Sequence, residues 1–191
     1  MDSRVAYTAL VALVAAVRLG ELRLSSRHAR SLLARGGVES GRGHLPAMVA
    51  LHAGLLAAAP AEVWLLDRPF VAPLAAAALA ALAAAAALRV WTLRTLGERW
   101  TIRVITLPGS RPVTGGPYRY VRHPNYLAVV IEVAALPLVH GAWLTAAVFS
   151  ALNAALLAVR IRVEERALSR AGGYGALSSR GRFLPRGGGK G

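Results

Sequence analysis

Pro69 to Leu88 runs for twenty residues without a charged side chain. At about 1.5 Å of rise per residue, a helix of that length crosses the roughly 30 Å hydrocarbon core of a bilayer. No other stretch so narrows the possible folds, because a segment in lipid must satisfy its backbone N–H and C=O groups internally. Four more apolar stretches, Val5 to Val17, Leu45 to Ala61, Tyr126 to Val139 and Ala142 to Val159, extend the reading. The expected fold class is all-α, an integral membrane bundle of about five transmembrane helices in a single domain, residues 1–191. Residues 1–93 would hold the first three helices with an interfacial segment at 22–44. Residues 94–191 would hold a long loop, a helical hairpin and a C-terminal segment.

Composition agrees, at 55% hydrophobic residues and a mean hydropathy of +0.47. The formal net charge of +14 would suggest nucleic acid in a soluble domain. Its distribution argues for a membrane instead. Of 23 basic residues, five fall in 20–44, seven in 89–125 and eight in 160–191. If alternate connections share a face, this is the positive-inside pattern, with all three basic segments cytoplasmic and the C-terminus inside. A nucleic-acid groove would instead interleave bases with stacking aromatics on a soluble face. The chain has no cysteine, which excludes disulfides and thiolate chemistry, and its five histidines show no metal-ligand spacing, so no metal is expected.

Along the chain, Val5 to Val17 is followed by Arg18 to Arg23 where a signal peptide would carry its cleavage site, so it reads as a retained helix with a snorkelling Arg18. Residues 22–44 mix leucines with arginines, as suits a short interfacial helix, and then turn at Gly36, Gly37, Gly41 and Gly43. That segment is either a solvated connector or a polar flap near a site. His52 lies within the second span, as a packing residue or a ligand contact. Leu93, Leu96, Trp100 and Val104 at helical spacing predict that the third helix continues past Gly97. Trp91 and Trp100 are expected at the membrane interface. Glu132 falls inside the short fourth span, where it reads as a helix-packing contact.

The densest chemistry lies at Gly115 to Tyr126, GGPYRYVRHPNY, more than a connector between helices requires. GPYRYVRHPNYL at 116–127, followed by RIRVEERAL at 160–168 and RFLP at 182–185, resembles the isoprenylcysteine carboxyl methyltransferase family, whose integral membrane enzymes include phospholipid methyltransferases. The resemblance covers roughly Leu96 to Pro185. It implies S-adenosyl-L-methionine as cofactor, cradled by this loop and the C-terminal segment without a Rossmann unit. On that resemblance Tyr118, His123, Pro124, Tyr126 and Leu127 stand in the cofactor-binding motif, joined by Glu165. Arg160 and Glu164 stand at the catalytic positions. Which of Glu164 and Glu165 acts in the chemistry stays open. The first half, RLGELRLSSRHARSLLARGGVESGRGHLPAMVALH, is similar to a bacterial branch that O-methylates alkylpyrones or alkylresorcinols. The family's best-known substrate is a prenylated cysteine carboxylate. Arginine outnumbers lysine 22 to 1, as in a high-GC bacterial genome, where protein prenylation is not expected.

The residues admit this chemistry on their own terms. Methyl transfer from a sulfonium needs an oxygen held in line with the S–CH3 bond, and positioning supplies about 7 to 11 kcal/mol. A carboxylate or the acidic enol of a hydroxypyrone is ionised near neutral pH, whereas a phenol-like resorcinol, with a pKa near about 10, needs a base. Arg160 can orient an oxyanion, and Glu164 can fix Arg160 or accept a phenolic proton. His123 either holds the loop or shuttles a proton. Arg160 and Glu164, four residues apart, also suit an ordinary surface helix pair. The expected partners are a lipid-like small molecule and the bilayer, in a bacterial cytoplasmic membrane with the site facing the cytoplasm; the sequence carries no sign of oligomeric state. Rival readings are an NADPH-dependent membrane reductase and a non-catalytic membrane scaffold.

Overall fold

The computed structural model describes residues 2–172, 175–178 and 180–184. Tyr174, Pro185 of the RFLP motif and the GGGKG terminus lie outside the described residues. The order is α1 (Ser3–Ala34), β1 (Val38–Ser40), α2 (Leu45–Leu65), α3 (Ala72–Leu96), β2 (Val104–Thr106), α4 (Pro124–Leu138), α5 (Trp143–Arg170) and α6 (Gly175–Ser178). Four helices are long and apolar enough to cross a membrane, and α4 is a shorter apolar helix of 15 residues. The chain is an all-α integral membrane bundle.

The bundle has two distinct ends. At one end, Tyr7, Val11, Ala59, Val63, Ala78, Leu136, Val139 and Ala142 form the largest apolar core. There Glu62 caps α5, accepting from the N–H groups of Leu144 at 3.1 Å and Thr145 at 2.7 Å, and pairs with Arg68 at 2.9 Å. These contacts satisfy two of the donors every helix start leaves open. Along the outside Leu13, Val17, Leu19, Leu79, Val148 and Leu152 are exposed, as lipid-facing side chains must be. Small residues let α3 sit close to its neighbours, with Ala75, Ala78 and Ala85 buried.

Two boundaries and one side chain differ from expectation. α1 does not give way to a separate interfacial helix at 22–44. It continues unbroken to Ala34, because Ser25, Ala29 and Leu32 form a buried face after the membrane stretch ends. At about 1.5 Å per residue its 32 residues reach some 48 Å, well past one bilayer core. α3 does not run past Gly97; it stops at Leu96 with Gly97 at φ +54°, and Val104 enters a strand. Trp100 is 3% exposed, not an interface anchor. A two-stranded antiparallel sheet then ties the two long connections together, Glu39 opposite Ile105.

Buried charge is the other feature the sequence concealed. Arg18, Glu21, Arg89 and Glu132, from α1, α3 and α4, form one ionic cluster. Arg18 meets Glu132 at 2.7 Å and Arg89 meets Glu21 at 3.4 Å, with Arg18–Glu21 and Arg89–Glu132 contacts closing the ring. Two positive and two negative groups cancel, which is how charge survives away from water.

Candidate active site

The site lies at the end of the bundle opposite the apolar core, where both long connections and the C-terminal segment meet. Its entry is the turn Gly116–Arg119, which abuts α3: Gly116 has φ +55°, and a side chain there would overlap Thr95. Glycine is therefore required both for the backbone and for the close approach. The chain then passes His123, which precedes Pro124, the first residue of α4. Proline suits that position because the missing N–H would be unpaired anyway.

The C-terminal segment docks on this loop through backbone and side chains together. The N–H groups of Arg122 and His123 donate to the carbonyls of Gly181 at 2.9 Å and Arg182 at 3.1 Å. Glu165, on α5, gathers the side chains around them. It accepts from Arg182 at 2.7 and 3.0 Å, pairs with Arg122 at 3.2 Å and lies 3.2 Å from His123 Nε2. Arg180 donates to the Tyr118 carbonyl at 2.5 Å. Glu165 is thus a clasp between loop, α5 and C-terminal segment.

One turn of α5 away lies a second arrangement. The Tyr126 hydroxyl donates to Glu164 and accepts from Arg160 Nε at 2.8 Å. The Arg160 guanidinium also stands over the Tyr126 ring, 5.5 Å from its centre, and His123 stacks on the ring's other neighbourhood at 5.4 Å. Arg160 is 3% exposed and donates from Nη2 to the Ile102 carbonyl and from Nη1 to Met48 Sδ at 3.1 Å. A thioether is a weak acceptor. Nη1 is therefore the guanidinium nitrogen with most to gain from an oxyanion.

A cavity of about 170 Å³ opens between these groups, the loop and β2. Tyr118, His123, Tyr126, Arg160 and Glu164 line it. Among the described residues, Pro124, Leu127 and Glu165 do not line it: Pro124 starts α4, Leu127 donates its N–H to the His123 carbonyl at 3.1 Å, and Glu165 acts from behind. Burial, with Glu164 nearby, pushes the Tyr118 hydroxyl well above its ordinary pKa, so it stays a neutral donor.

Sequence reasoning passed over two contributors and left a third open. Asn125, inside the RHPNY run itself, lines the cavity with a buried Oδ1 that has no hydrogen-bond partner among the described residues. Trp100 lines the same cavity, and its carbonyl lies 2.8 Å from His28 Nδ1 on α1. Residues 36–44, read as connector or flap, pack on the site through β1 and β2. The arrangement of Asn125 next to the motif was open to detection; the strand pairing, three residues on each side, was not.

The cavity's chemistry fits S-adenosyl-L-methionine on this chain's own terms. An orphaned, buried amide oxygen at Asn125 suits an N–H donor on a nucleobase, the rings of Trp100 and Tyr118 suit a flat heterocycle, and arginines suit a carboxylate.

The sequence profile of the isoprenylcysteine carboxyl methyltransferase (ICMT) family matches residues 77–170. An uncharacterized protein of Bacillus subtilis strain 168, YpbQ, is 33% identical over 160 residues, 83% of this chain and 94% of its own length. An uncharacterized protein of Haemophilus influenzae is 32% identical over 159 residues, 83% of this chain and 92% of its own length.

Proposed function

Because this chain belongs to the isoprenylcysteine carboxyl methyltransferase family, and is a membrane methyltransferase, we propose that it O-methylates a lipid-like acceptor, an alkylpyrone or alkylresorcinol, using S-adenosyl-L-methionine. The observation that carries the reading is the Tyr126–Glu164–Arg160 arrangement, which leaves one buried guanidinium nitrogen facing a weak acceptor. When bound, the cofactor supplies an electrophilic methyl group on a sulfonium.

The rest follows from what these residues can do. Arg160 holds the acceptor oxygen by a charge-assisted hydrogen bond, while the Tyr126 hydroxyl and the Ile102 carbonyl keep the guanidinium from turning. Tyr126 links the acid to the arginine and blocks their collapse into a direct ion pair. Tyr118, His123, Asn125 and the Glu165 clasp form the cofactor side; Pro124 and Leu127 shape the start of the helix that carries Tyr126. A long alkyl tail partitions into the bilayer and presents its polar head at the boundary, which accounts for embedding the enzyme in lipid. The basic segments converge at the site's end of the bundle, and the positive-inside tendency supports a site on the cytoplasmic face of a bacterial membrane.

The test is label transfer. Purified protein in lipid vesicles receives methyl-labelled S-adenosyl-L-methionine with an alkylpyrone, an alkylresorcinol or a prenylcysteine. Label in an ether of a pyrone or resorcinol is the expected result. Label only in the methyl ester of prenylcysteine would move the acceptor to a carboxylate, and label in none would end the reading.

A further inference from the structure

The turn before α2 brings an imidazole to the acceptor side of Arg160. Gly41, at φ +66°, folds residues 36–44, the strap that leads into α2, so tightly that an added Cβ would overlap the His44 ring and lie 2.7 Å from Val163 Cγ1. Val163 stands on α5 between Arg160 and Glu164, and the helix repeat puts all three near one face. His44 lies within electrostatic reach of both charged groups. One turn further along α2, Met48 receives Arg160 Nη1 at 3.1 Å. His44 is the residue just before α2 and has helical backbone angles, so it lies about one turn from Met48 on the same side of the helix start. The Gly41 turn lies against Val163 and Met48 against Arg160, so the segment leading into α2 and the first turn of α2 meet one patch of α5. An oxygen that replaced the thioether at Nη1 would lie on the side of α5 that the turn holding His44 packs against.

The ring is free to act there. It is half-buried, and its side chain makes no hydrogen bond among the described residues. The other charged groups of the strap are committed to one another: Glu39 pairs with Arg42 at 3.0 Å and with Arg103 at 3.6 Å. Glu164 already accepts from Tyr126. Arg160 and Glu164, the remaining charges near His44, are opposite in sign. The imidazole is an uncommitted proton acceptor on the side from which Met48 approaches Arg160 Nη1.

We propose that His44 is a further catalytic residue, taking the proton from the acceptor hydroxyl while Arg160 holds its oxygen. This rests on the O-methylation reading above and deepens it toward weakly acidic hydroxyl lipids. The balance is complete: the acceptor O–H bond breaks and its proton passes to an imidazole nitrogen, an O–CH3 bond forms, and the S–CH3 bond breaks with its electron pair staying on sulfur. The imidazolium then loses its proton to water through the exposed side of the strap. An acceptor that is ionised beforehand has little need of this step; a resorcinol, with a pKa near about 10, depends on it.

The test compares two acceptors in vesicles holding the full-length chain or its His44→Gln and His44→Ala variants. General-base loss is worth about 100-fold or more in rate. For the alkylresorcinol kcat falls by about that factor, and the fall is at least about tenfold smaller for the alkylpyrone, whose transfer in the same preparation reports intact fold. Added imidazole restores part of the resorcinol rate in His44→Ala. A second readout needs no cofactor: acylation of His44 by diethylpyrocarbonate, mapped by mass spectrometry, slows when the alkylresorcinol is present and not with an alkylbenzene of equal chain length. Equal losses on both acceptors, an undiminished resorcinol rate, or acylation indifferent to the resorcinol would each overturn the role of His44 while leaving the function standing. If the unaltered chain methylates neither lipid, the function itself falls and this role with it.

Discussion

Tyr126 stands between an acid and an arginine that would otherwise neutralise each other. Removing only its hydroxyl leaves the ring for Arg160 and His123 to stack on, but strands Arg160 Nε and frees Glu164 to turn. Tyr126→Phe is therefore expected to lower kcat by about ten- to a hundredfold, the size of one buried unsatisfied donor, with the melting temperature lowered by only a few degrees. Steady-state methyl transfer beside a thermal melt checks it. Glu165 predicts a different outcome. Glu165→Gln loosens the clasp on Arg122, Arg182 and His123, and S-adenosylhomocysteine binding should weaken by about tenfold or more. Most of these residues were legible in sequence because the motif places them side by side. Asn125 was equally visible and passed over. The turn holding His44 was readable as a connector or a flap near the site, but its neighbours on α5 were not, since Val163 and Arg160 are more than a hundred residues away and only the sheet and the Gly41 turn bring them close.

At the scale of elements, the spans were readable from apolar length, and the ends were not. α1 runs on past the bilayer because Ser25 and His28 have partners in 100–102, Ser25 Oγ accepting from the Ile102 N–H at 2.9 Å. No local pattern announces such a distant partner. α4 is too short to be held by lipid alone, and the cluster of Glu132 with Arg18 and Arg89 fixes it instead. Reading Glu132 as a packing contact understated this. Glu132→Ala leaves two arginines sharing the single charge of Glu21 in a low dielectric, so unfolding in detergent should be easier by about 3 to 5 kcal/mol. Replacing Arg89 and Glu132 together with leucines should cost less than the two single changes added, which a double-mutant cycle reads directly. The strap offers a smaller test. Gly41→Ala imposes both a left-handed backbone and a clash with Val163, and should destabilise by about 1 to 3 kcal/mol while lowering transfer to resorcinols more than to pyrones.

For the molecule as a whole, the claim is a division of labour between two ends. Glu62 and the apolar core close one end; basic connections, a two-stranded sheet and the C-terminal segment build a site at the other. The absence of cysteine makes the arrangement easy to probe. Single cysteines at Ser110 and Ala171 should label from the same side of a sealed vesicle, and one at Asp67 from the opposite side. The convergence of the basic segments was legible from their spacing in the chain. Their connection through β1 and β2 was not, because three-residue strands carry too little pattern. The central claim is that this end holds a methyl donor. It is tested most directly by calorimetric titration of the purified chain with S-adenosylhomocysteine and, separately, with NADPH. Saturable one-to-one binding of S-adenosylhomocysteine, weakened by Glu165→Gln, with no heat from NADPH is the predicted result; saturable NADPH binding with none of S-adenosylhomocysteine would contradict it.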